Sequence, residues 1–209
     1  MKLLQEYFTD FTEEQQKQFG SLKELYSEWN EKINVISRKD IDNFYTHHVL
    51  HSLAIAAKFN FDDNAQVMDL GAGGGFPGLP LAIFFPTVSF HLVDSINKKL
   101  KVVDEIAAAI GLKNLTTQHT RAEDIKNRQF DVVVSRAVAP LKDLWHWSKP
   151  IIKKNKNLEA PNGLICLKGG DLTKEIFESG CKPFVWEIDK IFNEAYFKEK
   201  FILYQPIRK

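Results

Sequence analysis

A hydrophobic stretch, Val67-Met68-Asp69-Leu70, runs directly into a segment rich in glycine, Gly71-Ala72-Gly73-Gly74-Gly75-Phe76-Pro77-Gly78. Apolar residues follow at positions 79–83. A strand, a glycine turn and a helix in succession form the nucleotide-binding corner of an open α/β sheet. Glycine suits this turn because a side chain would keep a ligand from the backbone, and because sharp turns often need positive φ. The segment therefore predicts a cofactor site that includes Gly71 and Gly73.

Two classes of cofactor fit such a loop. The residues from Gly73 to Gly78 also match the G-x-G-x-x-G spacing of dinucleotide sites. A pyrophosphate needs free backbone N–H groups at the start of the helix, and Pro77 removes one of them. S-adenosylmethionine carries no phosphate, so the loop favours the methyl donor over a nicotinamide dinucleotide.

Three acidic residues follow strand-like segments. Asp94 closes the run Phe90-His91-Leu92-Val93-Asp94, about twenty residues after the glycines, where an acid can accept both ribose hydroxyl groups. Glu123, with the backbone of Ala122, suits the adenine amino group, and Asp69 suits the amino group of the methionine part. Each acid is alternatively a helix cap or a surface charge.

Two cations come after later strand candidates. Arg136 has a planar fork that suits guanine acceptors or a phosphate. Lys168 offers a point charge for an RNA backbone. We treat both as candidate catalytic residues, with a surface cation that has no target as the alternative for each.

The elements that must position these residues are readable from periodicity. Apolar residues at three- and four-residue steps predict a helix over 12–33, with Thr12 and Gln15 as a capping box, and a second helical stretch over 40–58. Residues 1–60 are therefore predicted to be a helical N-terminal extension. Residues 61–209 are predicted to be the cofactor-binding domain, and the two parts form one compact unit.

Short apolar runs alternate with helical stretches after residue 65. Strands are predicted at 66–70, 89–94, 115–118, 130–135 and 163–167, with helices between them, one of which covers 96–110. Two further runs, 184–191 and 201–205, predict an antiparallel hairpin. The expected fold is α/β and Rossmann-like, a mainly parallel sheet with helices on both faces and a C-terminal antiparallel hairpin.

Composition is that of a soluble globular protein, and we expect this protein to stay in the cytoplasm. The chain has 209 residues, 44% hydrophobic and 26% charged, and a formal net charge of +1, so any nucleic-acid surface must be a local patch. Glu6 comes too early for a secretory segment, and no apolar run approaches the ~20 residues that span a bilayer. We expect no membrane partner and a monomer.

A metal site is not expected. Cys166 and Cys181 form no C-x-x-C pair. His47 and His51 have the i, i+4 spacing of a metal pair, but no carboxylate or cysteine at a recognisable spacing completes a site with them or with His48. These histidines are expected to pack at a helix interface or to touch RNA.

Aromatic and basic residues elsewhere allow two interpretations. Trp145 and Trp147 either stack an extruded base or pack within a helix, and packing is favoured. Several basic segments either form an RNA-facing patch or are solvated faces: Lys98, Lys99, Lys101, 149–156 and 208–209.

Several blocks, in order over roughly residues 30 to 170, resemble the ribosomal RNA small subunit methyltransferase G family, also called glucose-inhibited division protein B. The blocks are Asn34-Val35-Ile36, His48-Val49-Leu50-His51-Ser52, the glycine segment, Leu92-Val93-Asp94-Ser95, Arg121-Ala122-Glu123, Val134-Ser135-Arg136-Ala137 and Leu167-Lys168-Gly169. The sequence departs from the family pattern at His51, where an Asp is usual, and at Gly74, where a Pro is usual.

The resemblance implies an enzyme that uses S-adenosylmethionine to methylate N7 of a guanine in the decoding-region loop of 16S rRNA, at the position usually numbered 527. The partner is then 16S rRNA or the small ribosomal subunit. It implies cofactor contacts at these residues: Gly71, Phe76, Asp94, Ala122, Glu123 and Arg136. Ser95 adjoins them and is included. N7 bears a lone pair and no proton, so alignment and not a general base is the expected task of the enzyme.

Three alternatives remain open. The first is a nicotinamide-dependent reductase that uses the same glycine loop. The second is a methyltransferase that acts on another RNA, a protein or a small molecule. The third is a non-catalytic RNA-binding module. Binding of S-adenosylmethionine separates the first from the rest, and only the family resemblance selects rRNA.

Overall fold

The computed structural model describes residues 1–126, 128–136, 138–154 and 162–207, with the backbone alone for Arg38. Seven strands form one sheet in the order β3-β2-β1-β4-β5-β7-β6. They are β1 (Gln66–Leu70), β2 (Ser89–Asp94), β3 (Leu115–His119), β4 (Val132–Arg136), β5 (Gly163–Gly169), β6 (Phe184–Glu187) and β7 (Lys200–Pro206).

The first five strands run parallel, and β7 runs antiparallel to both β5 and β6. The predicted parallel sheet with a C-terminal antiparallel hairpin is therefore confirmed. Strands β2 and β3 are added on one side of β1, whereas β4 and β5 are added on the other side. The carboxyl ends of β1, β2 and β4 therefore meet at the switch point where open α/β sheets bind ligands.

Helices cover both faces of the sheet. They are α1 (Lys2–Tyr7), α2 (Glu13–Lys32), α3 (His51–Leu53), α4 (Gly78–Phe84), α5 (Asn97–Ala109), α6 (Leu141–Ser148) and α7 (Thr173–Ser179). Strand residues alternate between two apolar clusters: Val67 faces the cluster that includes α2, α4 and α5, whereas Met68 faces the cluster that includes α6. Burial on both faces explains why the central strands are continuous apolar runs.

The N-terminal extension belongs to the larger of these clusters. Phe19, Leu22 and Tyr26 of α2 are fully buried and share that cluster with Leu79 of α4 and Val103 of α5. The division of the chain at residue 60 stays a prediction.

The predicted capping box at the start of α2 is present. The Thr12 hydroxyl accepts a hydrogen bond from the Gln15 backbone N–H at 3.2 Å, and the Gln15 side-chain oxygen accepts one from the Thr12 N–H at 3.0 Å. The amide nitrogen of Gln15 also donates to the carbonyls of Ile83 and Phe84, at 3.0 and 3.1 Å. One side chain thus begins α2 and fastens it to the end of α4.

Two predicted elements were wrong in detail. The stretch 40–58 is not one α-helix: a 3₁₀ turn at Arg38–Asp40 precedes a π-helical turn at Tyr45–Leu50 and then α3. The strand predicted at 184–191 ends at Glu187, and Ile188–Lys190 forms a 3₁₀ turn that buries Ile188. Apolar periodicity marks the buried face in both places but does not specify the hydrogen-bond pattern. Within the described ranges, no helix is long and apolar enough to cross a membrane.

We predict that Gln15→Glu lowers the free energy of unfolding by about 0.5–1.5 kcal/mol, measured by urea denaturation. Glutamate at this position keeps the capping box but cannot donate to the carbonyls of α4. Glu14→Gln, an exposed change in the same turn, is the control and should stay within about 0.5 kcal/mol of the parent. A Gln15→Glu variant as stable as this control would contradict the fastening role.

Candidate active site

The glycine loop between β1 and α4 has left-handed backbone at three glycines, with φ of 72° at Gly71, 54° at Gly73 and 93° at Gly75. A Cβ at Gly71 would lie 2.7 Å from a methyl carbon of Val138. A Cβ at Gly73 would meet no described atom within 4 Å, so this part of the loop faces open space. The predicted need for glycine is thus conformational at Gly73 and also steric at Gly71.

Two carboxylates hold this loop by its backbone. One oxygen of Asp94 accepts a hydrogen bond from the Gly73 N–H at 2.8 Å, and the other accepts from the Ile96 N–H at 2.8 Å. One oxygen of Asp69 accepts from the Gly78 N–H at 2.7 Å. Asp94 and Asp69 therefore shape the loop, while their predicted contacts with ribose and with the methionine amino group stay predictions.

Asp69 belongs to β1, and its buried carboxyl group lies beside the first residue of α4. Its side chain is fully buried, and its second oxygen has no hydrogen-bond partner among the described residues. Burial raises the pKa of Asp69 to about 7, although the Gly78 N–H and the charge of Arg136 act in the opposite direction. This carboxylate takes the N–H group that a pyrophosphate would require, which adds a physical argument against a dinucleotide.

The N-terminal extension supports the loop from the other side. The Tyr26 hydroxyl donates to the Gly74 carbonyl at 2.6 Å. The side-chain oxygen of Asn30 accepts from the N–H groups of Val35 and Ile36, at 2.8 and 3.1 Å. The Val35 carbonyl would lie 3.0 Å from a Cβ at Gly74, so this glycine is closely covered. The roles of Tyr26 and Asn30 in supporting the loop were not predicted, because the helical periodicity of their segment indicated only packing.

A cleft of about 520 Å³ adjoins the loop. It is lined by residues from the carboxyl ends of β1 and β2, the segment after β3 and the start of the chain after β4: Leu70, Gly71, Gly73, Val93, Asp94, Ser95, Ile96, Lys99, Thr120, Arg121, Ala122, Glu123, Val138 and Trp147. The structure thus brings together the predicted residues Gly71, Gly73, Asp94, Ser95, Ala122 and Glu123. Trp147 joins them, and both Trp145 and Trp147 pack against the apolar cluster that includes α6.

Arg136, Phe76 and Asp69 are not among the residues that line this cleft. Arg136 ends β4, and its guanidinium carbon lies 5.0 Å from the centre of the Phe76 ring. Its Nη1 donates to the His47 carbonyl at 3.2 Å, and its Nη2 lies 3.1 Å from Nδ1 of His48. Burial lowers the pKa of Arg136. The cation therefore sits between the glycine loop and the π-helical turn.

The three histidines of the extension have separate environments. Nδ1 of His47 lies 2.9 Å from Asp40, and its ring stacks on Tyr196 with centres 3.9 Å apart. His48 and His51 are buried. Across the part of the chain that the structure describes, no group of three or more His, Cys, Asp or Glu is placed to hold a metal ion. These contacts are those of an interface between the extension and the sheet.

Lys168 is buried, unlike the surface cation of the alternative interpretation. It is 8% exposed, and its Nζ lies 2.7 Å from Glu175 of α7 and donates to the Ala139 carbonyl. The same Glu175 oxygen accepts from the Leu141 N–H at 2.7 Å. Lys168 thus anchors the segment that begins α6, and a direct contact with substrate stays a prediction.

Few of the basic residues proposed for an RNA patch adjoin the cleft. Lys99 lines it, whereas Lys98 and Lys101 are exposed on the same helix, α5. Lys153 pairs with Asp131 at 2.9 Å. Lys149 and Lys154 are exposed and do not line the cleft, and positions 155–156 and 208–209 of the proposed patch lie outside the described residues.

Tyr196 and Lys200 have the Tyr-x-x-x-Lys spacing that a reductase of the alternative class would carry. A helix brings residues four apart onto one face. Here Tyr196 lies in a 3₁₀ turn and Lys200 begins β7, with the ammonium 5.3 Å from the ring centre. The pair therefore lacks the helical setting of that chemistry.

We predict that Gly78→Ala destabilises the protein by about 1–3 kcal/mol, measured by urea denaturation. The new Cβ would lie 2.7 Å from a methyl carbon of Leu92 and 2.8 Å from the Asp69 oxygen that holds the loop. Gly20→Ala is the control, because a Cβ there meets only Met1 at 3.7 Å, and it should stabilise helix α2 by up to about 1 kcal/mol. Equal effects at both positions would contradict the close packing of the loop.

Asp69 should make stability depend on pH. Because its pKa is higher in the folded state (about 7) than in the unfolded chain (3.8), the folded state binds more protons between these values. The free energy of unfolding should therefore fall as pH rises from about 4 to about 7. Asp69→Asn, which keeps an acceptor for Gly78, should remove this part of the slope. Parallel pH profiles for both proteins would contradict the raised pKa.

Two solved structures with a similar fold are methyltransferases. An S-adenosylmethionine-dependent methyltransferase from Aquifex aeolicus aligns with a TM-score of 0.60 and 14% identity, over 83% of this chain and 100% of that one. A precorrin-6y C5,15-methyltransferase from Geobacter metallireducens aligns with a TM-score of 0.54 and 10% identity, over 85% and 92%. At these identities the comparison establishes the fold alone.

Sequence comparison is more specific. The family model for rRNA small subunit methyltransferase G matches residues 15–196. Ribosomal RNA small subunit methyltransferase G of Phocaeicola vulgatus is 55% identical over 99% of this chain and 99% of the relative. The protein of that name from Bacteroides fragilis is 56% identical over 99% and 100%. Since the family model spans most of the chain and these relatives share more than half of its residues, the chain belongs to the rRNA small subunit methyltransferase G family.

Proposed function

We propose that this protein transfers a methyl group from S-adenosylmethionine to N7 of a guanine in the decoding-region loop of 16S rRNA. The observation that carries the proposal is the cleft where Asp94, Ser95, Ala122 and Glu123 meet a glycine loop held open by carboxylates. The rRNA substrate is supported by the names of the relatives and the family. The choice of guanine N7 rests on the family resemblance.

The residues present fit S-adenosylmethionine. Asp94 is partly exposed in the cleft and suits the ribose hydroxyls, since each carboxylate oxygen can accept a second hydrogen bond. Ala122 and Glu123 suit the adenine. Asp69 has a buried oxygen without a described partner beneath the loop, which suits an ammonium group. This cofactor supplies an activated methyl group on a positively charged sulfur.

The chemistry demands alignment from the protein. The N7 lone pair forms the new N–C bond as the S–C bond breaks, so no proton has to be removed before attack. Positioning of two reactants can contribute about 7–11 kcal/mol to catalysis. Arg136, fixed by its contacts with His47, His48 and Phe76, lies at the carboxyl edge of the sheet and is our candidate for orienting donor and guanine.

The test is transfer of labelled methyl from S-adenosylmethionine to small ribosomal subunits that lack the modification, with naked 16S rRNA in parallel. The product base is then mapped by its chemical lability, because N7-methylguanine can be cleaved selectively. Label at one guanine N7 supports the proposal. If the protein binds the donor but no label enters rRNA, the proposed substrate is wrong and the proposed cofactor stands. If the donor does not bind, both the proposed substrate and the proposed cofactor are wrong.

We predict that Asp94→Asn weakens binding of S-adenosylmethionine about 10- to 100-fold, measured by calorimetry, because a charged acceptor for ribose and for the Gly73 N–H becomes neutral. Asp62→Asn, at the opposite end of the strands beside a separate cavity, is the matched control and should bind normally. Equal affinity of both variants would contradict the role of Asp94.

A further inference from the structure

The π-helical turn at Tyr45–Leu50 presents a backbone carbonyl to Arg136. A π-helix closes i→i+5 hydrogen bonds in place of the α-helical i→i+4 bonds, and such turns occur often at functional sites. The His47 carbonyl of this turn accepts from Nη1 of Arg136 at 3.2 Å. The turn therefore contributes one of two fixed acceptors for the guanidinium.

His48 provides the second acceptor. Its Nδ1 lies 3.1 Å from Nη2 of Arg136. A guanidinium has donors only, so Nδ1 must carry the lone pair and the proton must reside on Nε2. Burial and then the charge of Arg136 lower the pKa of His48 to about 3, which keeps the ring neutral.

Phe76 is the third residue that contacts the guanidinium of Arg136. Its ring centre lies 5.0 Å from the guanidinium carbon and 5.0 Å from the centre of the His48 ring. Phe76 itself is 2% exposed and belongs to the glycine loop. The contacts of Arg136 thus tie the loop to the π-helical turn, and His48 touches both partners.

We propose that His48 is a positioning residue: it accepts a hydrogen bond from Arg136 and so fixes that cation beside the glycine loop for donor binding and methyl transfer. This inference rests on the proposed function. It assigns to the extension a share in the site, because His48 precedes the cofactor-binding domain in sequence. The hydrogen bond to Arg136 also gives the buried His48 ring a function beyond packing.

The first test compares His48→Asn with His48→Leu. The side-chain oxygen of asparagine can replace Nδ1 as acceptor, whereas leucine keeps the bulk and removes the acceptor. We expect His48→Leu to lower kcat/KM for methyl transfer by about 10- to 100-fold, and a weaker affinity for S-adenosylmethionine should account for part of this loss. His48→Asn should recover most of the loss. His51→Leu, a buried histidine without a described hydrogen bond to Arg136, is the matched control and should change each less than about threefold. A His48→Asn variant as poor as His48→Leu, with both proteins folded, would overturn the proposal.

A double-mutant cycle separates positioning from general packing. In an Arg136→Met background, His48→Leu should have little further effect, because the hydrogen bond is already absent. Effects that multiply would show that His48 acts without Arg136 and would overturn the proposal. The cycle is measured both on the affinity for the donor and on methyl transfer. If the wild-type protein binds the donor but leaves rRNA unlabelled, only the proposed substrate is wrong, and the cycle on donor affinity still tests the role of His48.

A spectroscopic reading needs no activity. The ¹⁵N signals of His48 at neutral pH, assigned by their loss in His48→Leu, should show the neutral ring with the proton on Nε2. In Arg136→Met the acceptor shift of Nδ1 should disappear. A charged ring, or a proton on Nδ1, would overturn the hydrogen bond and with it the positioning role, whatever the substrate.

Discussion

The glycine loop depends on hydrogen bonds from its own backbone N–H groups to two carboxylates. Asp94 binds the Gly73 N–H and Asp69 binds the Gly78 N–H, so acids from the ends of β2 and β1 hold the two halves of the loop. Left-handed glycines permit this path, and a larger residue at Gly71 or Gly78 would collide with its neighbours. The carboxylates of Asp94 and Glu123 give the cleft a negative character that suits a positively charged sulfonium and disfavours a phosphate.

The N-terminal extension is part of this construction. Tyr26 holds the Gly74 carbonyl, and Asn30 places the chain at Val35 against the same glycine. On the other side, His47 and His48 provide the acceptors for Arg136. The extension therefore contacts the loop at one end and the cation of β4 at the other, and it also shares an apolar cluster with the sheet.

Local patterns were enough to predict most of the fold and the residues of the cleft. Strands β1 and β2 agree with the predicted ranges because apolar runs bounded by glycine or acid mark their ends. The acid that ends β2, Asp94, lines the cleft, whereas Asp69 of β1 does not. The π-helical turn and the buried pair of Lys168 with Glu175 were not predictable in this way. Each depends on contacts made only in the folded chain, of the turn with Arg136 and of Lys168 with Glu175, and periodicity contains no information about such contacts.

We infer that the loop and the cleft beside it form the site of S-adenosylmethionine. The most direct measurement is a crystal structure of the protein with the demethylated cofactor S-adenosylhomocysteine. We expect ribose hydroxyls bound by Asp94, adenine beside Ala122 and Glu123, and the amino group within hydrogen-bond distance of the Asp69 oxygen that has no partner among the described residues. A ligand bound elsewhere, or a ribose that makes no contact with Asp94, would contradict it.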